Sequence, residues 1–325
     1  MKRTIKDLSG LATIIALFMF ASCEGPAGED GNDSCKECHN QTNMSLKSTE
    51  YETSVHGMGT NVAYAGGRSA CAMCHSHEGF VETQRTKRDT TATAILIPTR
   101  IDCATCHSGH VSFDTTDGTD YALRSKNAVN LMISSDASVV DFGGSSNLCL
   151  NCHQPRSGAP VADGNGDYKI ANSRFGPHHG PQGTLVYGSG AYEGSGSVAY
   201  PAKGSSTHMS AGACVVCHMG ESTADGGGHT FKPTVASCTK CHSNATNFDI
   251  NGVQTEVHNL LNELANNLKA KGVLNSEGVL VLGTYPIALS GAYFNYISVE
   301  EDRSSGIHNP AYVKALLKNS IAATK

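Results

Sequence analysis

One pattern, Cys-x-x-Cys-His, occurs six times in this chain of 325 residues and uses twelve of its thirteen cysteines. In chain order the six motifs are Cys35, Cys38 and His39; Cys71, Cys74 and His75; Cys103, Cys106 and His107; Cys149, Cys152 and His153; Cys214, Cys217 and His218; and Cys238, Cys241 and His242. Two thiols three positions apart lie on one side of a helical turn. With histidine next in the chain, this is the arrangement that attaches a c-type haem and supplies its proximal iron ligand. The sequence therefore predicts six covalently bound haems.

Zinc ribbons and disulfides are the two alternatives for paired cysteines. A zinc ribbon closes tetrahedral sites with its cysteine pairs and needs no histidine after every second cysteine. A disulfide framework needs no histidine at all. Because all six pairs are followed by histidine, haem attachment is favoured over both alternatives.

The chain has few hydrophobic residues with which to build the core of a protein of this size. Only 39% of the residues are hydrophobic, tryptophan is absent and 35 residues are glycine. Since each haem would bury a large apolar ring, we expect a multihaem cytochrome c fold that is mostly irregular, with short α-helices around packed haems, two longer C-terminal helices and little β-structure. The formal charge of −5, to which haem propionates would add, disfavours nucleic acid as a partner.

The first 34 residues predict export and attachment to a membrane. Basic residues precede a short apolar run that ends in Ala21-Ser22-Cys23. The run is too short to span a bilayer, and small residues before a cysteine are typical of a bacterial lipobox. We therefore predict a signal peptide over 1–22 and a lipid anchor on Cys23, with plain secretion as the alternative. Residues 23–34 are rich in glycine and acidic residues and predict a flexible tether.

The rest of the chain divides by composition. Residues 35–245 hold all six motifs and are predicted to form the haem-binding domain. Within it, the longest interval, 154–213, lacks helical periodicity and is expected to wrap haem edges and deliver distal ligands. Residues 246–325 hold no motif and are predicted to be a helical segment that packs on the haems.

Two helices are predicted in this C-terminal segment. Apolar residues recur at helical spacing from Val257 to Leu268, and Gly272 lies where that helix would stop. A second helix is predicted over Pro310–Ile321, with Asn309-Pro310 as its start. Between them, Val279 to Leu282 and Tyr293 to Ile297 are expected to be short extended pieces.

Nine histidines remain after the six proximal ones, enough to give every iron a second imidazole ligand. As distal ligands we favour His56, His110, His179, His208, His229 and His308, with His77, His178 and His258 as lesser candidates. Since His110 follows His107 closely, it cannot cap the opposite face of the same haem and would serve a neighbouring one. His258 lies on the periodic helix and is equally compatible with core packing. Met58, Met73, Met209 and Met219 are alternative ligands, although gap-filling in a core is the commoner role of methionine.

Three stretches beyond the motifs resemble multihaem c-type cytochromes. The segment Cys214–Met219, Gly228–Pro233 and Cys238–His242 is similar to the paired-haem segment of cytochromes related to the pentahaem nitrite reductases. Ser304–Pro310 resembles their C-terminal Gly-x-His-Asn-Pro element, and Gly176–Gln182 is similar to segments of outer-surface cytochromes of metal-reducing bacteria, including filament-forming ones. The resemblance implies that His229 and His308 are distal ligands.

The chain departs from the nitrite reductases at one point. Those enzymes attach their catalytic haem through a Cys-x-x-Cys followed by lysine, and no pair here is followed by lysine. Because all six motifs are alike and distal candidates suffice for every iron, we favour an electron carrier over an enzyme. The alternatives are a reductase of nitrite, hydroxylamine or a sulfur oxyanion at one open iron, and a subunit of an extracellular cytochrome filament.

The expected surroundings of such a carrier follow from its predicted anchor. It would lie on the outer membrane, on the periplasmic or the cell-surface face. Its expected redox partners are cytochromes, quinol-linked donors or extracellular acceptors. Copies of the chain are also expected as partners of one another, in a homo-oligomer or a filament.

Overall fold

A computed structural model of the protein describes residues 39–110, 121–133 and 138–325. Cys35 and Cys38 of the first motif, the predicted lipidation site Cys23, and the predicted signal peptide and tether lie outside the described residues. Residues 49–325 form one compact unit in the part of the chain that the structure describes. The predicted division of the mature chain at residue 245 stays a prediction.

Short helices separated by irregular chain carry the motifs. They are α1 Gln41–Glu52, α2 Val55–Met58, α3 Ala72–His75, α4 His77–Thr86, α5 Cys103–Cys106, α6 Ser146–Leu150, α7 Gln182–Tyr187, α8 Thr207–Ser210, α9 Ala213–His218 and α10 Val235–Thr239. A π-helical turn covers Val62–Gly66, and 3-10 turns cover Gly228–Thr230 and Ile250–Gly252. Each of the second to sixth motifs overlaps one of these short helices, as the spacing of the thiols predicts.

Local capping explains how so short a helix as α5 can form. Asp102 accepts a hydrogen bond from the Thr105 backbone N–H at 2.9 Å, and the Thr105 hydroxyl accepts one from the Asp102 backbone N–H, also at 2.9 Å. This reciprocal pair satisfies two of the donors that a helix start leaves unpaired. Helix α4 begins in the same way at Ser76, whose hydroxyl accepts from the Gly79 N–H at 3.3 Å. Any Cβ at Gly79 would collide with the backbone of Ala72, so glycine lets α3 and α4 cross closely.

Two small antiparallel sheets contain the strands of the described residues. Strand β1 (Val129–Asn130) pairs with β2 (Val139–Val140), and β3 (Asp167–Ile170) pairs with β4 (Gly283–Pro286). The second sheet places Tyr168 opposite Tyr285, so it joins the long interval between the fourth and fifth motifs to the C-terminal segment.

Three helices form the C-terminal segment: α11 (Val253–Ala270), α12 (Ile287–Asp302) and α13 (Pro310–Thr324). The buried stripe of α11 packs against α12 and α13 in one apolar cluster, as its periodicity predicts. Asn309 caps α13 by accepting a hydrogen bond from the Tyr312 N–H at 3.2 Å, with Pro310 next in the chain. Within the described ranges, no helix has the length and apolar character needed to cross a membrane.

The prediction of an extended piece at Tyr293 to Ile297 is wrong, because these residues lie in α12. Six consecutive residues, Ser290 to Asn295, are buried there. A helix buried on nearly all sides has no polar face, so its sequence lacks the alternation with a period of 3.6 that would identify it.

Leu264 offers a direct test of this core. Its side chain is fully buried in the three-helix cluster, so Leu264→Ala should lower the free energy of unfolding of the holoprotein by about 2–5 kcal/mol. Chemical denaturation measures the loss. Leu282→Ala removes a side chain that is 52% exposed and serves as the control, with an expected change within about 0.5 kcal/mol. Equal losses in the two variants would contradict the proposed packing.

Candidate haem-ligand sites

Five histidines of the motifs each face a histidine from elsewhere in the chain. Each pair joins the histidine of one motif to a histidine from outside the motifs: His75 with His178, His107 with His229, His153 with His56, His218 with His308, and His242 with His208. The ring centres of the paired imidazoles lie 6.1–6.4 Å apart. The five motif histidines thus have five different facing histidines.

This separation fits one iron between each pair of rings. A metal–imidazole bond is about 2.0 Å long and the donor nitrogen lies about 1.1 Å from its ring centre, so two imidazoles on opposite sides of one ion have ring centres about 6.2 Å apart. Aromatic contact alone allows similar distances in a single pair. The one-to-one matching of motif histidines with non-motif histidines, repeated five times, is what contact alone does not explain.

Hydrogen bonds at Nδ1 orient five of these rings. The acceptors are the backbone carbonyls of Tyr121 for His107 (2.7 Å), Phe231 for His218 (2.9 Å) and Ile307 for His208 (2.5 Å), the Gln182 Oε1 for His153 (3.3 Å) and the Asp302 Oδ1 for His308 (2.6 Å). A neutral imidazole that donates from Nδ1 keeps Nε2 unprotonated. That nitrogen is then available to a metal, and the hydrogen bond fixes the orientation of the ring.

Burial favours the neutral, metal-binding form of five of the ten paired imidazoles. It lowers the pKa of His56 to about 4, with a further contribution from the facing His153. Burial likewise lowers the pKa values of His75, His153, His178 and His218. For His308 burial acts in the same direction, but the carboxylate of Asp302 outweighs it and raises the pKa.

Buried carboxylates lie behind two of the non-motif histidines. The side chain of Asp302 is fully buried and also accepts a hydrogen bond from the Ser304 hydroxyl. Glu50, 6% exposed, accepts a hydrogen bond from the His229 backbone N–H at 2.9 Å, and its Oε2 lies 3.8 Å from the His229 Nδ1. A carboxylate on the outer nitrogen makes an imidazole a stronger electron donor to a metal.

Adjacent residues His178 and His179 have different surroundings. We expected His179 to be the stronger distal candidate, but His178 is the residue that faces His75. His178 has a left-handed backbone with φ of 72°, which turns the chain at this point. The His179 ring is directed to Glu301, with 2.8 Å between its Nδ1 and the carboxylate, and is 68% exposed.

The other candidates are engaged elsewhere or have no assigned iron. His77 Nδ1 lies 2.9 Å from the Thr105 hydroxyl and 3.1 Å from the Asp102 carboxylate. His258 uses Nε2, the usual haem-ligating nitrogen, to hydrogen-bond the Ser305 hydroxyl at 2.7 Å, which fits the packing interpretation better than ligation. His110 stays a predicted distal ligand without an assigned iron.

The cysteine chemistry fits haem attachment better than the alternatives. The ten cysteines of the second to sixth motifs are free thiols, not disulfides. In residues 39–110, 121–133 and 138–325, no three histidine, cysteine or acidic side chains converge as a zinc site requires. Ten thiols in five motifs, each motif with its own pair of facing imidazoles, are the donor set that c-type haems use.

Thiols of different motifs lie near enough to shift one another's pKa values. The interacting pairs are Cys74 with Cys152, Cys149 with Cys214, Cys106 with both Cys149 and Cys152, and Cys217 with both Cys238 and Cys241. The Cys152 thiol also lies 3.7 Å from the backbone carbonyl of Met73, and the Cys214 thiol lies 3.9 Å from that of Ser146. The fourth motif therefore adjoins the second, the third and the fifth. The fifth motif in turn adjoins the sixth.

Comparison with known proteins supports the fold. No protein-family model and no curated protein matches the chain. Among solved structures, the chain is similar to the outer cell wall cytochrome OcwA, with a TM-score of 0.56 and 20% sequence identity over 86% of this chain and 50% of that chain. The chain thus spans about half the length of that protein. It shares the fold of a cytochrome, which confirms the predicted class of mostly irregular chain with short helices and little β-structure.

Proposed function

We propose that this protein transfers electrons through six c-type haems, each bound by one Cys-x-x-Cys-His motif and ligated by two histidines. The observation that carries the proposal is the one-to-one facing of five motif histidines with five other histidines at 6.1–6.4 Å. When bound, haem supplies reversible one-electron chemistry. The fold similarity to a cytochrome supports the same conclusion.

The chain's own residues have separate tasks in this proposal. The twelve motif cysteines would hold the cofactors. Five irons would be held by the pairs His75–His178, His107–His229, His153–His56, His218–His308 and His242–His208. His39 is the proximal ligand of the first haem. The carbonyl, amide and carboxylate acceptors behind Nδ1 fix ring orientation and adjust how strongly each imidazole donates to iron.

The contacts between motifs support a branched network with the fourth motif as its junction. The thiols of that motif interact electrostatically with thiols of the second, third and fifth motifs, and those of the fifth interact with the sixth. His178 at the second motif and His242 at the sixth are exposed, whereas the fourth and fifth motifs carry less accessible histidines. We infer that redox partners meet the protein at the peripheral motifs. Other cytochromes, quinol-linked donors and extracellular acceptors fit this arrangement.

A reductase is the weaker proposal. Reduction of nitrite, hydroxylamine or a sulfur oxyanion requires an iron with an open position. In the proposed arrangement the facing imidazoles of the second to sixth motifs would hold those five irons from both sides, which leaves no open position there for a substrate. Addition of nitrite to the oxidised protein should leave the haem absorption spectrum unchanged, and a shift would favour the reductase.

We place the protein outside the cytoplasm, on the outer membrane through a lipid on Cys23. The lipobox-like end of the apolar run supports the anchor, and similarity to an outer cell wall cytochrome supports export. Replacement of Cys23 by serine in the expressing cell should release the protein from the membrane fraction. Unchanged membrane association of that variant would contradict the anchor.

Haem content and electron count test the proposed function. Intact-mass measurement of the mature protein should show the peptide plus six haems, and a coulometric titration should take up six electrons per chain, because each of the six motifs binds one iron. A mass equal to that of the peptide alone would contradict the proposed function. Fewer than six electrons in a protein with six haems would contradict the connected network.

A further inference from the structure

Phe231 contacts ligand candidates of three different motifs. Its ring lies edge-on to His56 at 4.9 Å between centres and to His229 at 5.9 Å. Its backbone carbonyl accepts the Nδ1 hydrogen bond of His218 at 2.9 Å. In the proposed pairs, these histidines belong to the fourth, third and fifth motifs.

The backbone of Phe231 adopts an unfavourable conformation to make these contacts. Its φ of 55° and ψ of 15° lie in the left-handed region, which a bulky side chain rarely adopts. Such a conformation persists only where the surrounding structure holds it in place, and it is commonly found at functional sites.

Hydrogen bonds on both sides hold Phe231 there. Gly227 donates to the Lys232 carbonyl at 2.8 Å, which closes the loop around Phe231. Gly228 donates to the Gly220 carbonyl at 2.8 Å, and His229 donates to Glu50 at 2.9 Å. The strained residue is therefore fixed by its neighbours, and its ring and carbonyl have defined directions.

We propose that Phe231 is a positioning residue for the haem ligands at the junction of the third, fourth and fifth motifs. Its ring sets the rotation of the His56 and His229 imidazoles, and its carbonyl sets the orientation of His218. This proposal rests on the proposed electron-transfer function. A side chain that only fills space would affect stability alone. A positioning residue also fixes the orientation of particular imidazoles, and loss of the Phe231 ring would change that orientation.

The electron paramagnetic resonance (EPR) spectrum of a low-spin ferric haem depends on the angle between the planes of its two imidazole ligands. Two imidazoles with parallel planes donate into the same iron d orbital and split it from its neighbour, which gives a rhombic spectrum. Perpendicular planes leave the two orbitals nearly equal in energy and give a strongly anisotropic spectrum with a large maximum g value. The planes of His56 and His153 meet at 81°, and those of His107 and His229 meet at 30°, so the two pairs should give different signals.

Two variants remove the ring while keeping the backbone carbonyl. Phe231→Leu retains apolar volume, and Phe231→Gly suits the left-handed backbone, so it removes strain and should fold even if the leucine variant does not. We expect a shift in the g values of two low-spin signals, those of the His56–His153 and His107–His229 pairs, with six haems retained. Phe231→Tyr keeps the ring and should restore both signals.

Phe294→Leu is the matched control. It removes the same kind of ring from a fully buried site in the C-terminal helices, in contact with Phe175, and it should lower stability without moving any g value. Wild-type spectra in Phe231→Leu or Phe231→Gly, or the same two shifts in Phe294→Leu, would overturn the proposal. Failure of the electron-transfer proposal is a separate result, because it would appear in the wild-type protein as missing haems or high-spin iron.

Discussion

Replacement of His56 by alanine should convert one low-spin iron of the oxidised holoprotein to high-spin iron. His56 faces His153 with 6.1 Å between ring centres, so its loss leaves that iron with an imidazole on one side only. An iron that loses a strong axial ligand becomes five-coordinate or binds water, and its ligand field weakens. EPR should show a new high-spin signal together with the loss of one low-spin signal, while the thioether-bound haem count stays at six.

The adjacent histidines of the long interval provide the sharpest control. His178 faces His75, whereas His179 bonds to Glu301, so His178→Ala should produce high-spin iron and His179→Ala should not. The two substitutions remove the same side chain from neighbouring positions, so general damage to the loop would affect both. High-spin iron in His179→Ala alone would show that the assigned pairing is incorrect.

Asp302→Asn should raise the reduction potential of the haem ligated by His218 and His308. The buried carboxylate lies 2.6 Å from the His308 Nδ1 and strengthens that imidazole as a donor, which stabilises ferric iron. A hydrogen bond to a charged group is worth about 1.5–3 kcal/mol and one to a neutral group about 0.5–1.5 kcal/mol, so the substitution removes about 1–2 kcal/mol. At about 59 mV for each tenfold change in a one-electron equilibrium, the potential should rise by about 40–90 mV.

Glu301→Gln provides the control for this measurement. Glu301 precedes Asp302 in the chain, but its carboxylate bonds to His179, which is outside the proposed ligand pairs. Spectroelectrochemical titration should therefore show a raised potential for the haem held by His218 and His308 in Asp302→Asn and an unchanged potential for that haem in Glu301→Gln. An unchanged titration curve for Asp302→Asn, with haem content intact, would contradict the assignment of His308 as a ligand.

The sequence predicted local features better than it predicted which histidines face each other in the fold. The Cys-x-x-Cys-His motifs predicted short helical turns because both depend on residues three or four positions apart. The capped starts at Asp102 and Asn309 are local in the same sense. The choice between His178 and His179 depends on a left-handed backbone at His178 and on Glu301, which is distant in sequence. No pattern in the segment itself distinguishes the two histidines.

The residues that tune the sites were not identified from the sequence for the same reason. Glu50 meets His229, and Gln182 meets His153, only through the tertiary fold. Asp302 lies near His308 in the chain, so an acidic residue shortly before a predicted ligand was the one local signal for this contact. Phe231 follows the predicted ligand His229 closely, but its contact with His56 is visible only in the folded chain.

Low-temperature EPR of the fully oxidised holoprotein tests the central claim most directly. Histidine ligation on both sides of every haem predicts low-spin ferric signals only. The pairs with planes at 81°, 80° and 72° should give large maximum g values, and the pairs at 30° and 39° should give more rhombic spectra. A high-spin ferric signal that accounts for one iron or more per chain would contradict the claim.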